Sequence, residues 1–257
     1  MDSSTKWRYI GSGLILSGIF AFSAFQENQP QQGTNLCTGK PDGNVVILID
    51  HSEEITPTTH KAIEDRVVSI VTDDKKVQPN YRVSVFLMTD DLANIKPIFE
   101  FCRPPTGGNP FISNPQVQAA FHNLFVEKIK AQVSAQVKGS SSSPIMETLS
   151  TIGRTSYFNE NRKQLIIFSD LIEYSKNSVD LYQLCSASGN GFANGISAAK
   201  TYQLKAEIYP HLNLNKDINV ELHQIPRPAN RNIQNSCLIG FWQDAFGFAT
   251  PLIDPLP

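Results

Sequence analysis

Two short runs constrain the fold of this chain more than any other feature. Residues 45–49 read VVILI and residues 164–168 read QLIIF; Asp50 directly follows the first, and Ser169-Asp170 the second. A continuous β-branched and aliphatic run has no polar face to turn to water, so it suits a strand buried on both sides of a parallel sheet. Elsewhere the apolar spacing is helical. Ile63, Val67, Ile70 and Val71 share one face, with Thr56 placed to cap that helix and Pro57 in its first turn.

The remaining segments continue the alternation. Residues 81–88 (YRVSVFLM) predict a strand, and residues 95–101 a shorter one, reached through Asp90, Asp91 and Asn94 by a loop that allows an antiparallel edge pair. Val117, Phe121, Phe125, Ile129, Val133 and Val137 recur every fourth residue, predicting a long helix ended by Gly139. Pro144 opens a short helix carrying Ile145, Leu149 and Ile152, and residues 191–210 hold a further helix. Residues 218–225 alternate as a strand does, and Ile233, Cys237 and Phe241 mark a last amphipathic helix. The predicted fold is α/β, a doubly wound, mostly parallel sheet with one antiparallel edge strand and helices on both faces.

With 40% hydrophobic and 18% charged residues, the chain can build a core of ordinary size. A net charge of -2 without a run of Lys or Arg excludes a broad electrostatic footprint for nucleic acid. The first residues have a different character. Lys6 and Arg8 precede residues 10–25, IGSGLILSGIFAFSAF, which carry no charge. That run is shorter than the roughly 20 residues that span a bilayer and longer than the usual signal core of about 7 to 15, so an anchor and a cleaved signal both remain open. Ala21 and Ser23 offer a small-x-small cleavage site, whereas Phe20, Phe22 and Phe25 favour a retained anchor. Basic residues before the run and Glu27 after it place the body outside the cytosol under either reading. The expected organisation is a membrane segment at residues 1–25, a polar linker at 26–43 and one domain at 44–257. Four cysteines, with no CxxC or Cys/His ligand spacing, suit disulfides in an oxidising compartment, and three connectivities are open.

In open parallel sheets, ligands bind outside the carboxyl ends of the strands. Three segments then come into view: Asp50-His51-Ser52-Glu53-Glu54, Ser143-Pro144 and Ser169-Asp170. They offer carboxylates and hydroxyls, hard oxygen donors that suit magnesium first, with manganese or calcium as alternatives.

At these residues the chain resembles the von Willebrand factor A domain family, the integrin inserted-domain fold with its metal-ion-dependent adhesion site. In that family a DxSxS motif follows the first strand, a Thr lies in a later loop and an Asp, often in TDG, follows a central strand. Here Asp50 and Ser52 carry the first motif, Ser143 in SSSPI stands for the Thr, and Asp170 in IIFSDL is the later Asp. The resemblance spans roughly residues 45–249. It implies that Ser52 and Ser143 approach a divalent cation directly or through water and that Asp50 and Asp170 act mainly through water. An acidic side chain of a partner protein would complete the shell, giving adhesion or assembly without turnover. Two residues depart from the pattern: Glu54 replaces the second Ser and Leu171 the Gly. A third carboxylate at Glu54 would favour retention of the cation and weaken attraction for an acidic partner.

The implied protein is a bacterial envelope component outside the cytoplasm. It is either a single-pass inner-membrane protein with its domain in the periplasm or, if the signal is cleaved, a periplasmic one. The alternative is a structural envelope component whose degenerate site holds no metal. A metal-dependent hydrolase has less support. Asp50, His51 and Ser52 are adjacent in sequence and make no triad, and Ser52 occupies the second acidic position that a haloacid dehalogenase-type phosphatase requires. In this topology Cys37 enters the sheet at the edge where Cys102 leaves it, while Cys185 and Cys237 follow elements leaving the other edge. The expected pairs are therefore Cys37–Cys102 and Cys185–Cys237. Trp242 and Phe246, one turn apart on the last helix, are expected in the core.

Overall fold

Strand β1 (Gly43–Asp50) is buried from end to end, and its alternate side chains feed two separate cores. The computed structural model describes residues 35–52, 55–89, 91–106, 114–135, 142–158, 162–175, 179–186, 218–227, 233, 235–246 and 252–256. The expected membrane segment, Glu54, Val137, Gly139 and the helix expected within residues 191–210 lie outside the described residues. Among the described residues, no helix is long and apolar enough to cross a membrane.

The elements follow in the order β1, α1 (Pro57–Thr72), β2 (Tyr81–Met88), β3 (Phe99–Cys102), α2 (Pro115–Val133), α3 (Ile145–Gly153), β4 (Lys163–Ser169), α4 (Leu181–Leu184), β5 (Ile218–Gln224), α5 (Asn235–Phe246) and β6 (Leu252–Pro255). They form one six-stranded sheet in the order β3-β2-β1-β4-β5-β6. Every pairing is parallel except β2 with β3, so the antiparallel strand lies at an edge, as expected. Val45, Ile47 and Ile49 pack with Ile63, Val67 and Ile70 of α1 and with Phe125 and Ile129 of α2. On the other face Val46 and Leu48 meet Ile145, Leu149 and Ile152 of α3 and Leu238, Phe241 and Trp242 of α5. Removing both faces of a strand from water explains why VVILI shows no alternation.

Local signals fix the helix starts. Thr56 caps α1 by accepting the Thr59 N–H at 3.2 Å, and Pro57 occupies the first turn, where its missing N–H costs nothing. Asn114 caps α2 by accepting the Gln116 N–H at 2.9 Å.

Two expectations need correction. The stripe on α2 is buried only at Phe125, Ile129 and Val133, while Val117 is 48% exposed. Four residues turn a helix by about 400°, so an unbroken i, i+4 row drifts about 40° per step and carries its far end out of the interface. The short strand begins at Phe99, because Leu92–Asn94 form a 3-10 turn first. The Leu252–Pro255 segment adds to β5 as parallel edge strand β6, a position in a sheet where Pro is tolerated.

Both expected disulfides are present. Cys37–Cys102 closes the amino-end edge of the parallel strands, and Cys185–Cys237 ties the end of α4 to α5, with sequence separations of 65 and 52. No described cysteine is free.

Candidate functional site

The parallel register determines which side chains meet at the carboxyl edge. Ile49 lies beside Phe168, so the next residues, Asp50 and Ser169, end their strands as neighbours. Asp50 is 0% exposed. Its Oδ2 accepts the Ser169 hydroxyl at 2.7 Å and the Ser143 hydroxyl at 3.0 Å, and its Oδ1 accepts the Ser52 N–H at 2.8 Å. One carboxylate thus joins three chain segments through neutral donors.

Ser143 is held by backbone. Its N–H donates to the Tyr174 carbonyl and its carbonyl accepts the Tyr174 N–H, both at 2.9 Å. The residue that opens α3, Pro144, offers no side-chain cap, and Glu173 supplies one from across the bridge by accepting the Met146 N–H at 2.9 Å. A buried carboxylate at a helix N-terminus also meets the favourable end of the helix dipole. The loops carrying Ser143 and Asp170 are consequently a single unit.

Asp170 is 4% exposed. Its Oδ1 accepts the Ile172 N–H at 3.0 Å, and its Oδ2 lies 4.0 Å from Nε of Arg227. Between them, Leu171 has a φ of 66°, the left-handed conformation that favours glycine. A leucine takes this conformation here with its side chain buried in the core, and two bonds hold the turn: the Leu171 N–H donates to the Ser169 Oγ at 2.9 Å and its carbonyl accepts Trp242 Nε1 at 2.8 Å. Trp242 is a core residue, as expected.

Of the sequence-predicted residues, Asp50, Ser52 and Ser143 are joined by hydrogen bonds. Asp170 follows directly on Ser169, which belongs to the same network, and spends its own carboxylate on the turn and on Arg227. Glu54 is outside the described residues. Three residues were missed. Ser169 was marked only as part of the segment delivering Asp170, and nothing local announces Glu173. Arg227 lies just past β5, where the strand-end rule applied to a third strand would have found it. His51 is buried beside Asp50 with its ring 6.2 Å from that of His60. Burial lowers its pKa, the neighbouring His60 and Arg227 lower it further, and Asp50 opposes them.

Among the described residues, no three of His, Cys, Asp and Glu gather into a metal-binding group. A cation here would rely on serine oxygens together with Asp50 and Asp170. The donor chemistry fits a hard cation: every candidate atom is oxygen, and a hydroxyl that gives its proton to Asp50 keeps its lone pairs for a metal.

No protein-family model matches the chain, and no curated protein sequence does. Solved structures do overlap with it. Two crystal forms of proximal thread matrix protein 1 from the mussel byssus share 14% and 11% identity at TM-scores of 0.44 and 0.42, covering 83% and 84% of this chain and 44% and 42% of theirs. The human COPII-coat protein Sec24c shares 13% at a TM-score of 0.39, over 88% of this chain and 31% of that one. The chain spans less than half the length of each. Likeness at this level carries no weight for function, and the fold class rests on the strand order of the chain itself.

Proposed function

We propose that this chain is a protein-binding module for adhesion or assembly, working from the carboxyl edge of its sheet, where Asp50, Ser52, Ser143 and Asp170 hold a divalent cation, magnesium in the first place. The observation that carries the reading is the Asp50 carboxylate. Two serine hydroxyls and one backbone N–H orient it without cancelling its charge. When bound, the cation would supply an open coordination position for an acidic side chain of the partner. Tyr174, 44% exposed and bridged to Ser143, gives the rim an aromatic contact of the kind enriched at protein interfaces. We place the domain outside the cytosol, because two disulfides suit an oxidising compartment, with residues 1–25 serving as a membrane anchor or a cleaved signal. No turnover is part of this reading.

Isothermal titration of the full chain in detergent micelles with magnesium, manganese and calcium tests it. Binding should be seen with the native chain and lost in Asp50→Ala; heat signals identical in the two would refute the cation site. One observation favours a second reading, a metal-free structural module: the Arg227 guanidinium already faces Asp170.

A further inference from the structure

Among the described residues, the carboxyl edge contains a fixed positive charge, Arg227, that the family motif does not include. Arg227 follows β5 by three residues, and the chain leaving β5 is tied to the end of β4 by the Ile225 N–H, which donates to the Ser169 carbonyl at 2.8 Å. The bond brings Arg227 to the same edge as Asp170. Its side chain is only 3% exposed, and that of Asp170 4%. A guanidinium this deep is costly unless paired, and it stays charged at any physiological pH. It stands 4.0 Å from Asp170 Oδ2, while Oδ1 of the same carboxylate is taken by the Ile172 N–H. Its field also reaches His51 just past the end of β1, across the end of β4, where it is one of the causes that disfavour the charged imidazole.

We infer that Arg227 sets the cation affinity of this site, its guanidinium competing with a divalent ion for the Asp170 carboxylate, so that the native site holds magnesium weakly and exchanges it readily. This rests on the cation site proposed above. A cation that reaches Asp170, directly or through water, meets a positive charge that can neither deprotonate nor move far within a buried setting. With Arg227 beside Asp170, the loaded site keeps positive charge for an acidic partner. Arg227 is a positioning and charge-setting residue, which no motif marks.

The test is magnesium titration of the full chain in micelles for the native protein, Arg227→Gln, Arg227→Met and Arg227→Lys, read by calorimetry and by the shift in melting temperature with magnesium. The neutral variants should bind magnesium at least about tenfold more tightly than the native chain. They should melt lower without the ion and recover with it, and Arg227→Lys should stay near native. Gln and Met are independent neutral replacements, so one that does not fold leaves the other to decide. If the native chain binds nothing and a neutral variant binds, the inference stands and the cation reading of the native site falls. If the native chain binds and the neutral variants bind no better, the inference falls and the cation reading stands. Binding by none of them overturns both. A purely structural arginine would lower the melting temperature with no magnesium-dependent recovery, and that result also overturns the inference.

Discussion

Asp50 and Glu221 are both carboxylates buried in the parallel sheet, yet their charges are accommodated by opposite means. Among the described residues, Asp50, at the end of β1, accepts only neutral donors: an N–H and two hydroxyls. Glu221, in the middle of β5 and 4% exposed, accepts the Lys76 ammonium at 2.9 Å and 3.2 Å and the Gln164 amide at 3.1 Å. The His223 imidazole and the Lys76 ammonium bring the Glu221 carboxyl down to about 2, against burial, which raises it. At 3.6 Å the imidazole nitrogen is beyond hydrogen-bond range, so the ammonium is the firmer hold. The contrast separates structure from function. An ammonium cancels the charge of Glu221 and turns it into a pin, whereas neutral donors fix the orientation of Asp50 and leave its charge available to a cation.

Removing either carboxylate tests the comparison. Asp50→Ala should have the largest effect, because it leaves the Ser143 and Ser169 hydroxyls and the Ser52 N–H without their acceptor. Unsatisfied buried donors cost about 1 kcal/mol or more each, so a loss of about 3 kcal/mol is expected in urea unfolding. Asp50→Asn keeps one acceptor oxygen and should lose about half as much. A loss in Asp50→Ala below about 1 kcal/mol would mean that Asp50 is not held as described.

For Glu221 the expected signature is in pH. Its folded pKa is depressed from 4.5 to about 2, so its stabilisation is fully present above pH 4.5 and disappears as pH falls towards 2. Because Lys76 is partly exposed, the contribution is on the order of 2 kcal/mol, less than the shift alone implies. Unfolding free energies measured between pH 6 and 2 should fall by that amount in the native chain, and Glu221→Gln should flatten that part of the curve. Equal slopes in the two proteins would show that Glu221 is not the group responsible.

How much of this was legible in the sequence depends on the range over which each signal acts. The buried strands, the Thr56 cap with Pro57 and the short helix after Pro144 are local patterns, and all of them appear where the residues predict. The disulfide pairs were legible too, because the alternation of strands and helices decides the sheet edge at which each cysteine lies. What escaped depends on register and on packing at a distance. Val117 matches the i+4 row and is carried out of the interface by helical drift. The strand at Leu252–Pro255 exists because β5 offers it an edge, against the local message of its prolines. At the site, Asp50 and Ser143 were marked by motif, but the Ser169 bond needs the β1–β4 register, and Arg227 needs the turn after β5 to fold back on Ser169.

The smallest expected effects separate the two serines that share Asp50 Oδ2. Ser169→Ala removes one bond to the carboxylate and the acceptor of the Leu171 N–H, and Ser143→Ala removes one bond to the carboxylate. Each should cost about 1 kcal/mol, Ser169→Ala slightly more, because Leu171 depends on that hydroxyl to keep its left-handed turn. Stability alone therefore barely distinguishes them. Magnesium should: in the proposed site the Ser143 oxygen faces the cation, while Ser169 only steadies Asp50 from the strand end. Ser143→Ala should lose most of its magnesium affinity in calorimetry, and Ser169→Ala should retain most of it. If both variants lose affinity equally, orientation of Asp50 is the whole contribution of the hydroxyls, and Ser143 is a prop for the carboxylate in the same sense as Ser169.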